Sequence, residues 1–151
     1  MNALRRALLR GSAGLALLPL LYPLRLLAAE WNRPTFTARN IGDALKAYGA
    51  SSAVDTRDIV IQAPEVAENG AKVDVEITCN LPNVRTLAVF AERNPTPLCA
   101  EIEFLGGSLP YAKLQLKLAE STRLRAVVRT TEGKTWVASR EIKVTLGGCG
   151  N

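Results

Sequence analysis

The sequence predicts an all-β protein: an immunoglobulin-like antiparallel β-sandwich with a short N-terminal helix and a flexible C-terminal arm. The chain has 151 residues, the size of one domain, and 48% of them are hydrophobic, which is enough for a packed core. From residue 58 onward, apolar and polar residues alternate in about seven short segments that are separated by turn-forming residues. No helical pattern lies between the segments, so we expect antiparallel and not parallel pairing.

The composition excludes several classes of function. The chain contains no histidine, which rules out a Ser-His-Asp triad, a Cys-His dyad and any zinc, copper or haem held by histidine. Three cysteines are too few for a cluster held by four thiolates. Neither a GxGxxG nor a GxxxxGK[ST] loop is present. We therefore expect no metal site and no cofactor.

The net charge of +5 does not indicate a nucleic-acid-binding protein. Residues 1–29 contain four arginines and no acidic residue, so the rest of the chain has 15 basic against 14 acidic residues. That remainder has no basic run and few aromatic residues on which bases could stack. We expect no nucleic-acid partner.

Residues 1–29 have the pattern of an export signal. Arg5 and Arg6 form a basic head, an apolar stretch covers residues 13–21, and small residues allow cleavage after Ala29. The apolar stretch falls short of the roughly 20 residues that span a bilayer, so we expect no stable membrane anchor. The paired arginines, followed by two bulky apolar residues, resemble a twin-arginine signal. This signal predicts export to the periplasm.

Residues 30–57 are expected to form a linker followed by a short helix. Asn40 can cap the helix at its start, and Gly49 can end it. The apolar residues of the helix are Ile41, Leu45 and Tyr48. They form one stripe, which we expect to dock onto the protein's own core.

The β-sandwich is expected to cover residues 58–146. The predicted strands lie at 59–62, 72–78, 84–92, 98–105, 114–118, 123–129, 135–139 and 142–146. In one of them, Arg123, Arg125 and Arg129 alternate with apolar residues. We interpret these arginines as a solvated sheet face, and a patch that faces a partner is the alternative.

Two of the three cysteines, Cys79 and Cys99, lie inside the predicted sandwich. One ends a strand and the other begins the strand after next, so an eight-residue strand separates them by roughly 25 Å. A disulfide requires Cα atoms about 4.4–6.8 Å apart. We therefore expect two packed, unpaired thiols, with an unforeseen pairing as the alternative.

The third cysteine, Cys149, lies in the terminal segment 147–151, between Gly147-Gly148 and Gly150. Glycines on both sides favour a flexible arm. An ordinary thiol is only a few per cent ionised at neutral pH, and no basic residue flanks this one. A thiol without a base or a pocket, on a slim arm, is typical of a carrier whose cargo is activated by other proteins.

Several segments of the chain resemble the SoxY family, the carrier proteins of the periplasmic sulfur-oxidation (Sox) system. They are residues 64–70 (PEVAENG), residues 89–97 (VFAERNPTP), Gly133 with Trp136, and residues 142–150, in which Gly-Gly-Cys-Gly follows a strand. The terminal motif is the most specific of these. The family usually has a second glycine where this chain has Asn151.

The resemblance implies a covalent carrier that is not itself an enzyme. It implies a heterodimer with a SoxZ-like β-sandwich subunit. A c-type cytochrome would join Cys149 oxidatively to thiosulfate as a cysteine S-thiosulfonate. A dimanganese hydrolase would then release sulfate, and a molybdenum–haem dehydrogenase would oxidise the remaining sulfane sulfur, which is carried as a cysteine persulfide.

Two other functions stay open at this point. One is an exported β-sandwich interaction subunit without a covalent carrier role. The other is a thiol oxidoreductase, which the chain supports poorly because it has no CxxC motif and no group that would activate a thiol.

Overall fold

Two β-sheets pack face to face in the computed structural model, which describes residues 33–146. Two helices come first, α1 (Arg33–Thr37) and α2 (Ile41–Tyr48). The strands are β1 (Val54–Asp55), β2 (Ile59–Gln62), β3 (Val66–Ala67), β4 (Val73–Cys79), β5 (Val84–Ala91), β6 (Leu98–Glu103), β7 (Tyr111–Leu116), β8 (Thr122–Thr130) and β9 (Thr135–Val144). No helix in this part of the chain is long and apolar enough to cross a membrane.

The larger sheet has the strand order β1-β9-β8-β5-β6, with β3 also paired to β9, and the smaller sheet has the order β2-β4-β7. The predicted all-β sandwich is therefore confirmed, and its connectivity fits an immunoglobulin-like arrangement. Alternation along the strands creates the core between the sheets. In β4, for example, Val73, Val75 and Ile77 are fully buried, while Asp74 and Glu76 face outward.

A second, smaller core lies between helix α2 and the outer face of the larger sheet. The Asn40 side chain accepts a hydrogen bond from the Asp43 N–H at 2.9 Å, and Gly49 ends the helix in the left-handed region. Tyr48 is buried edge-on against Phe90 of β5, with ring centroids 5.7 Å apart. The predicted helix and its docking onto the protein's own core are thus confirmed. Helix α1, in contrast, occupies part of the segment that was expected to be a linker.

The arginines of β8 do not form the solvated face that their spacing predicts. The Arg129 guanidinium lies 4.6 Å from the centroid of the Tyr48 ring and donates to the Tyr48 carbonyl. Arg125 is only partly exposed and pairs with Glu92 at 2.5 Å. Only Arg123 is well exposed. The prediction is wrong for Arg125 and Arg129, because α2 and the loop after β5 cover their side of the sheet.

The expectation of antiparallel pairing alone is also wrong, because β1 and β3 both pair in parallel with β9. Val54 lies opposite Trp136, and Val66 lies opposite Lys143. After β1 has paired with β9, the chain crosses to the smaller sheet, where it forms β2. It then returns to the larger sheet and pairs with β9 again as β3. Two short parallel contacts thus form without a helical crossover. In addition, β9 is one continuous strand where two strands were predicted, since residues 139–142 stay paired to β8.

The two internal cysteines lie at opposite ends of the sandwich. Cys79 ends β4, β5 then runs the length of the sheet, and Cys99 lies near the start of β6. Both thiols are free. The expectation that they are unpaired is confirmed, and so is its geometric reason.

Candidate functional site at the root of the C-terminal arm

The residues predicted to carry the function, Cys149 with Gly147, Gly148 and Gly150, lie outside the described residues, and so do Arg5 and Arg6 of the predicted signal. The described chain ends at Leu146, three residues before the cysteine. Residues 143–146 are called the arm root below. The structure thus shows how the body of the protein holds the point from which the terminal segment leaves.

The segment 65–70 lies beside the arm root and binds it along its whole length. We call this segment the clamp. The Lys143 N–H donates to the Glu65 carbonyl at 2.9 Å, and the Thr145 N–H donates to the Ala67 carbonyl at 3.1 Å. At the end of the root, the Gly70 N–H donates to the Leu146 carbonyl at 2.8 Å.

A side-chain hydrogen bond adds to these backbone contacts, since the Thr145 hydroxyl donates to the Glu68 carbonyl at 3.0 Å. Within the clamp, the Asn69 side chain accepts from the Ala71 N–H at 2.8 Å and so fixes the turn into β4. The backbone is therefore held by the clamp up to Leu146.

The clamp is itself supported by two neighbouring loops. The Leu118 N–H donates to the Gly70 carbonyl at 2.7 Å, and Leu118 is fully buried. The Asn94 amide group donates to the Lys117 carbonyl at 2.8 Å and accepts from the Ala119 N–H at 2.9 Å. One side chain thus fixes the loop after β7, which holds Gly70, which in turn holds Leu146.

We call this end of the sandwich the root pole; it contains the clamp, the loop 92–97, the loop 117–121 and the arm root. Two of the segments whose sequence resembles the SoxY family, 64–70 and 89–97, contribute to this pole, where each is hydrogen-bonded to the loop 117–121. Both segments were recognised from the sequence by their resemblance, and neither had a predicted role. The sequence feature that indicates such a role is the pair of turn motifs Asn69-Gly70 and Asn94-Pro95, since asparagine side chains in turns commonly fix loops through hydrogen bonds.

A polar groove of about 540 Å³ lies beside the arm root. Its lining residues are Glu92, Arg93, Glu120, Ser121, Thr122, Arg123, Glu141, Ile142, Lys143 and Val144. Arg123 pairs with Glu141 at 2.8 Å, and Arg93 lies 3.9 Å from Glu120. The Arg123 guanidinium lowers the pKa of the Glu141 carboxyl through this hydrogen bond. Opposite charges are thus largely matched across the groove.

The internal thiols are poor nucleophiles. Burial raises the pKa of Cys79 to about 11. Burial likewise raises the pKa of Cys99, against smaller opposing effects of hydrogen bonds from Ala91 and Asn94. Both thiols therefore stay protonated at neutral pH. Residues 33–146 also contain no group of three or more acidic or cysteine side chains that could hold a metal ion.

A match to a known protein family identifies the family of this chain. The model of the family "Sulfur oxidation protein SoxY" matches residues 44–149, which is more than half of the chain, and the match extends to Cys149. This chain belongs to the SoxY family. No curated protein sequence matches it.

Among solved structures, the sulfur carrier protein SoxY of Chlorobium limicola f thiosulfatophilum is similar to this chain and supports its membership of the SoxY family. It is 33% identical, with a TM-score of 0.63, and the alignment covers 71% of this chain and 97% of that one. The superoxide reductase (neelaredoxin) of Ignicoccus hospitalis is 24% identical, with a TM-score of 0.52 over 59% of this chain and 81% of that one. At that identity the second likeness shows the fold alone. The SoxY resemblance inferred from sequence is confirmed, and the protein is a SoxY-family sulfur-oxidation protein.

Proposed function

We propose that this protein carries thiosulfate-derived sulfur covalently on Cys149 in the periplasm and presents it to Sox enzymes. The observation that carries the proposal is the position of the SoxY match, which ends on Cys149, three residues after a root that the clamp holds in place. Three extended residues reach about 10 Å beyond Leu146. A fixed root and a slim glycine-flanked end suit a thiol that has to enter the active sites of other proteins.

The proposed loading step is a two-electron oxidation. The Cys149 thiolate and the sulfane sulfur of thiosulfate form a disulfide bond, which gives a cysteine S-thiosulfonate. The two electrons pass to a c-type cytochrome of the Sox system, and the thiol proton goes to solvent. Hydrolysis by the dimanganese enzyme then adds water across the terminal S–S bond, releases sulfate and leaves a cysteine persulfide. A molybdenum–haem dehydrogenase would oxidise the persulfide sulfur further.

In this proposal the protein supplies the handle and the partner enzymes supply the catalysis. Among the described residues, neither of the two thiols is activated, since burial raises the pKa of both. The proposed partner is a SoxZ-like β-sandwich subunit. Residues 1–29 are proposed to be a twin-arginine signal that exports the folded pair.

Intact-mass measurement of the periplasmic protein from cells that oxidise thiosulfate tests the proposal. We expect a mature chain that begins at Glu30 and carries sulfur adducts that map to Cys149. Cys149→Ser should lose every adduct. A mature protein without adducts on Cys149 would leave the alternative, an exported interaction subunit without a carrier role.

The matched control is a Cys79→Ala/Cys99→Ala double variant. Its adducts should be unchanged, because both thiols are buried or partly buried and protonated. Each substitution should cost only about 1–2 kcal/mol of unfolding free energy, as a modest core truncation does. Loss of adducts from a folded double variant would show that an internal cysteine takes part in sulfur transfer.

A further inference from the structure

The two lateral sides of the sandwich are closed to different extents. On one side, β1 and β3 cover parts of the outer edge of β9. On the other side, β6 pairs only with β5, and β7 pairs only with β4, within residues 33–146. Strand β6 thus presents a free edge to solvent, and we call it the open edge.

The register shows which backbone groups point outward from the open edge. The Phe104 N–H donates to the Arg85 carbonyl at 2.8 Å, so that residue faces β5. Backbone groups alternate along an antiparallel strand. Glu103 and Glu101, which lie opposite Thr86 and Ala88, therefore direct their N–H and C=O groups away from β5. No described residue binds these four groups.

The side chains of the open edge have a distinct chemistry on each face. Ile102, on the inner face, is only partly buried against the core, as is Leu114 of the neighbouring edge strand β7. Glu101 and Glu103 are exposed on the outer face; Glu103 has the exposed Arg85 guanidinium 3.6 Å away, and among the described residues Glu101 has only an electrostatic attraction to Arg129. The open edge contains neither proline nor lysine, two residues that commonly protect an edge strand from pairing.

We propose that the open edge binds a β-strand of a partner subunit, and that this strand carries Lys or Arg on its outer face and apolar side chains on its inner face. The partner strand would extend the larger sheet through the outward groups of Glu101 and Glu103. Its basic residues would face the two carboxylates, and its apolar residues would cover Ile102 and Leu114. This deepens the heterodimer of the proposed function and rests on it for the identity of the partner.

Charge argues against a second copy of this chain at the open edge. A two-fold symmetric pair would place two β6 strands antiparallel. Glu101 of one copy would then lie directly opposite, or next to, Glu101 or Glu103 of the other copy on the same face of the sheet. Like charges directly opposite each other destabilise a strand pair. A basic partner strand meets no such repulsion.

Binding of the SoxZ-like subunit to Glu101→Pro, compared with Glu101→Ala, tests the proposal. The Glu101 N–H is not used inside the sheet, so proline removes an outward donor without breaking a bond to β5. Affinity should fall by about tenfold or more for Glu101→Pro and by no more than about threefold for Glu101→Ala. Equal affinities for the two variants, both folded, would overturn the proposal.

A charge-reversed variant, Glu101→Lys/Glu103→Lys, keeps the test valid if proline disturbs the fold. Its affinity should also fall, and added salt should shrink the difference from wild type. The control is Glu132→Lys, an exposed acid in the β8–β9 turn, which should bind as wild type does. A charge-reversed variant that binds as tightly as the control would contradict the proposal.

The binding measurements distinguish a wrong docking surface from a wrong proposed function. If wild type binds the subunit and the β6 variants bind equally well, the docking surface is wrong and the heterodimer stands. If wild type does not bind the subunit at all, the heterodimer of the proposed function fails as well. If wild type instead dimerises alone and Glu101→Gln/Glu103→Gln strengthens the dimer, the occupant is a second copy.

Discussion

The two ends of the sandwich differ in how their loops are bonded. At the root pole, hydrogen bonds join segments that are far apart in sequence: Gly70 to Leu146, Leu118 to Gly70, and Asn94 to the loop 117–121. At the opposite pole, the Thr131 N–H donates to the Asn83 carbonyl at 2.8 Å and the Asn80 N–H donates to the Asp58 carbonyl at 2.7 Å, but the longest loop, residues 104–110, also bonds to itself, as where the Ser108 N–H donates to the Leu105 carbonyl at 3.0 Å.

Exposed large hydrophobic side chains lie at both poles. In the loop between β6 and β7, Leu105 and Leu109 are 72% and 83% exposed. At the root pole, Leu118 is fully buried beneath the clamp, whereas Leu146 is 69% exposed. Long-range bonds between loops occur at both poles, and at the root pole they form a connected series from Asn94 through the loop 117–121 and Gly70 to Leu146. The clamp thus fixes the position of Leu146, from which the chain continues to Cys149.

The largest stability effect is expected for Asn94→Ala, which breaks the support of the clamp. The variant leaves the Lys117 carbonyl and the Ala119 N–H without their side-chain partner. The free energy of unfolding should fall by about 2 kcal/mol, measured by urea denaturation. The control at the opposite pole is Asn83→Gly, which keeps the left-handed backbone and loses only a 3.4 Å contact to Glu132. Equal losses for the two variants would mean that the poles are bonded equally.

A smaller effect is expected for Thr145→Val, which removes the bond from the Thr145 hydroxyl to Glu68 and keeps the shape of the side chain. The loss should be about 0.5–1 kcal/mol. Faster amide hydrogen exchange at Gly70 should accompany it, because that N–H is bound to the adjacent Leu146. Unchanged exchange at Gly70 would show that the hydroxyl does not contribute to holding the root. Ser108→Ala, which removes a local bond at the opposite pole, should leave Gly70 exchange unaltered.

The smallest effect is expected from the exposed ion pairs, which do not distinguish the poles. Arg123 lowers the pKa of Glu141 at the root pole, and Lys134 lowers the pKa of Glu132 at the other. A carboxyl whose pKa is lowered by folding stabilises the protein above its unfolded pKa, and this contribution is lost as pH falls through the folded pKa. Glu141→Gln and Glu132→Gln should therefore be slightly less stable than wild type at pH 7 and equal to it in strong acid. A difference that persists in acid would point to a cause other than charge pairing.

Much of the fold follows from local sequence patterns. Strand β4 alternates cleanly, and the caps of α2 at Asn40 and Gly49 are where their side-chain chemistry predicts them. The separation of Cys79 and Cys99 also follows, because counting strands places them at opposite ends. These features depend on neighbours in sequence, which periodicity and capping rules describe well.

The features that the sequence did not predict depend on contacts distant in sequence. The parallel pairing of β1 and β3 covers two residues each, too few to leave a periodic pattern. Arg129 has the spacing of a solvated residue, and only the docked Tyr48 shows that it is covered. For the same reason, the clamp was not predicted. The sequence motif indicates Cys149, but the hydrogen-bond partner of Leu146 is Gly70, which lies 76 residues earlier in the chain.

In the proposed function, a fixed root carries a terminal segment whose thiol is loaded by other enzymes. A Gly147→Val/Gly148→Val variant tests it directly, because valine adds bulk and stiffness beside Cys149 without touching the described root. Two rates are measured on the same protein in complex with the SoxZ-like subunit: adduct formation from thiosulfate by the c-type cytochrome, and alkylation by iodoacetamide. Gly106→Val is the control, since a side chain there meets no atom within 4 Å.

Enzymatic loading of the Gly147→Val/Gly148→Val variant should fall by about tenfold or more, since misplacing a reacting group costs at least that much. Its alkylation by the small reagent should change by no more than about twofold, because the intrinsic reactivity of the thiol is set by its pKa and not by its reach. The control should match wild type in both rates. A parallel fall in both rates would show that the glycines tune the thiol itself, and that would contradict the carrier-arm account.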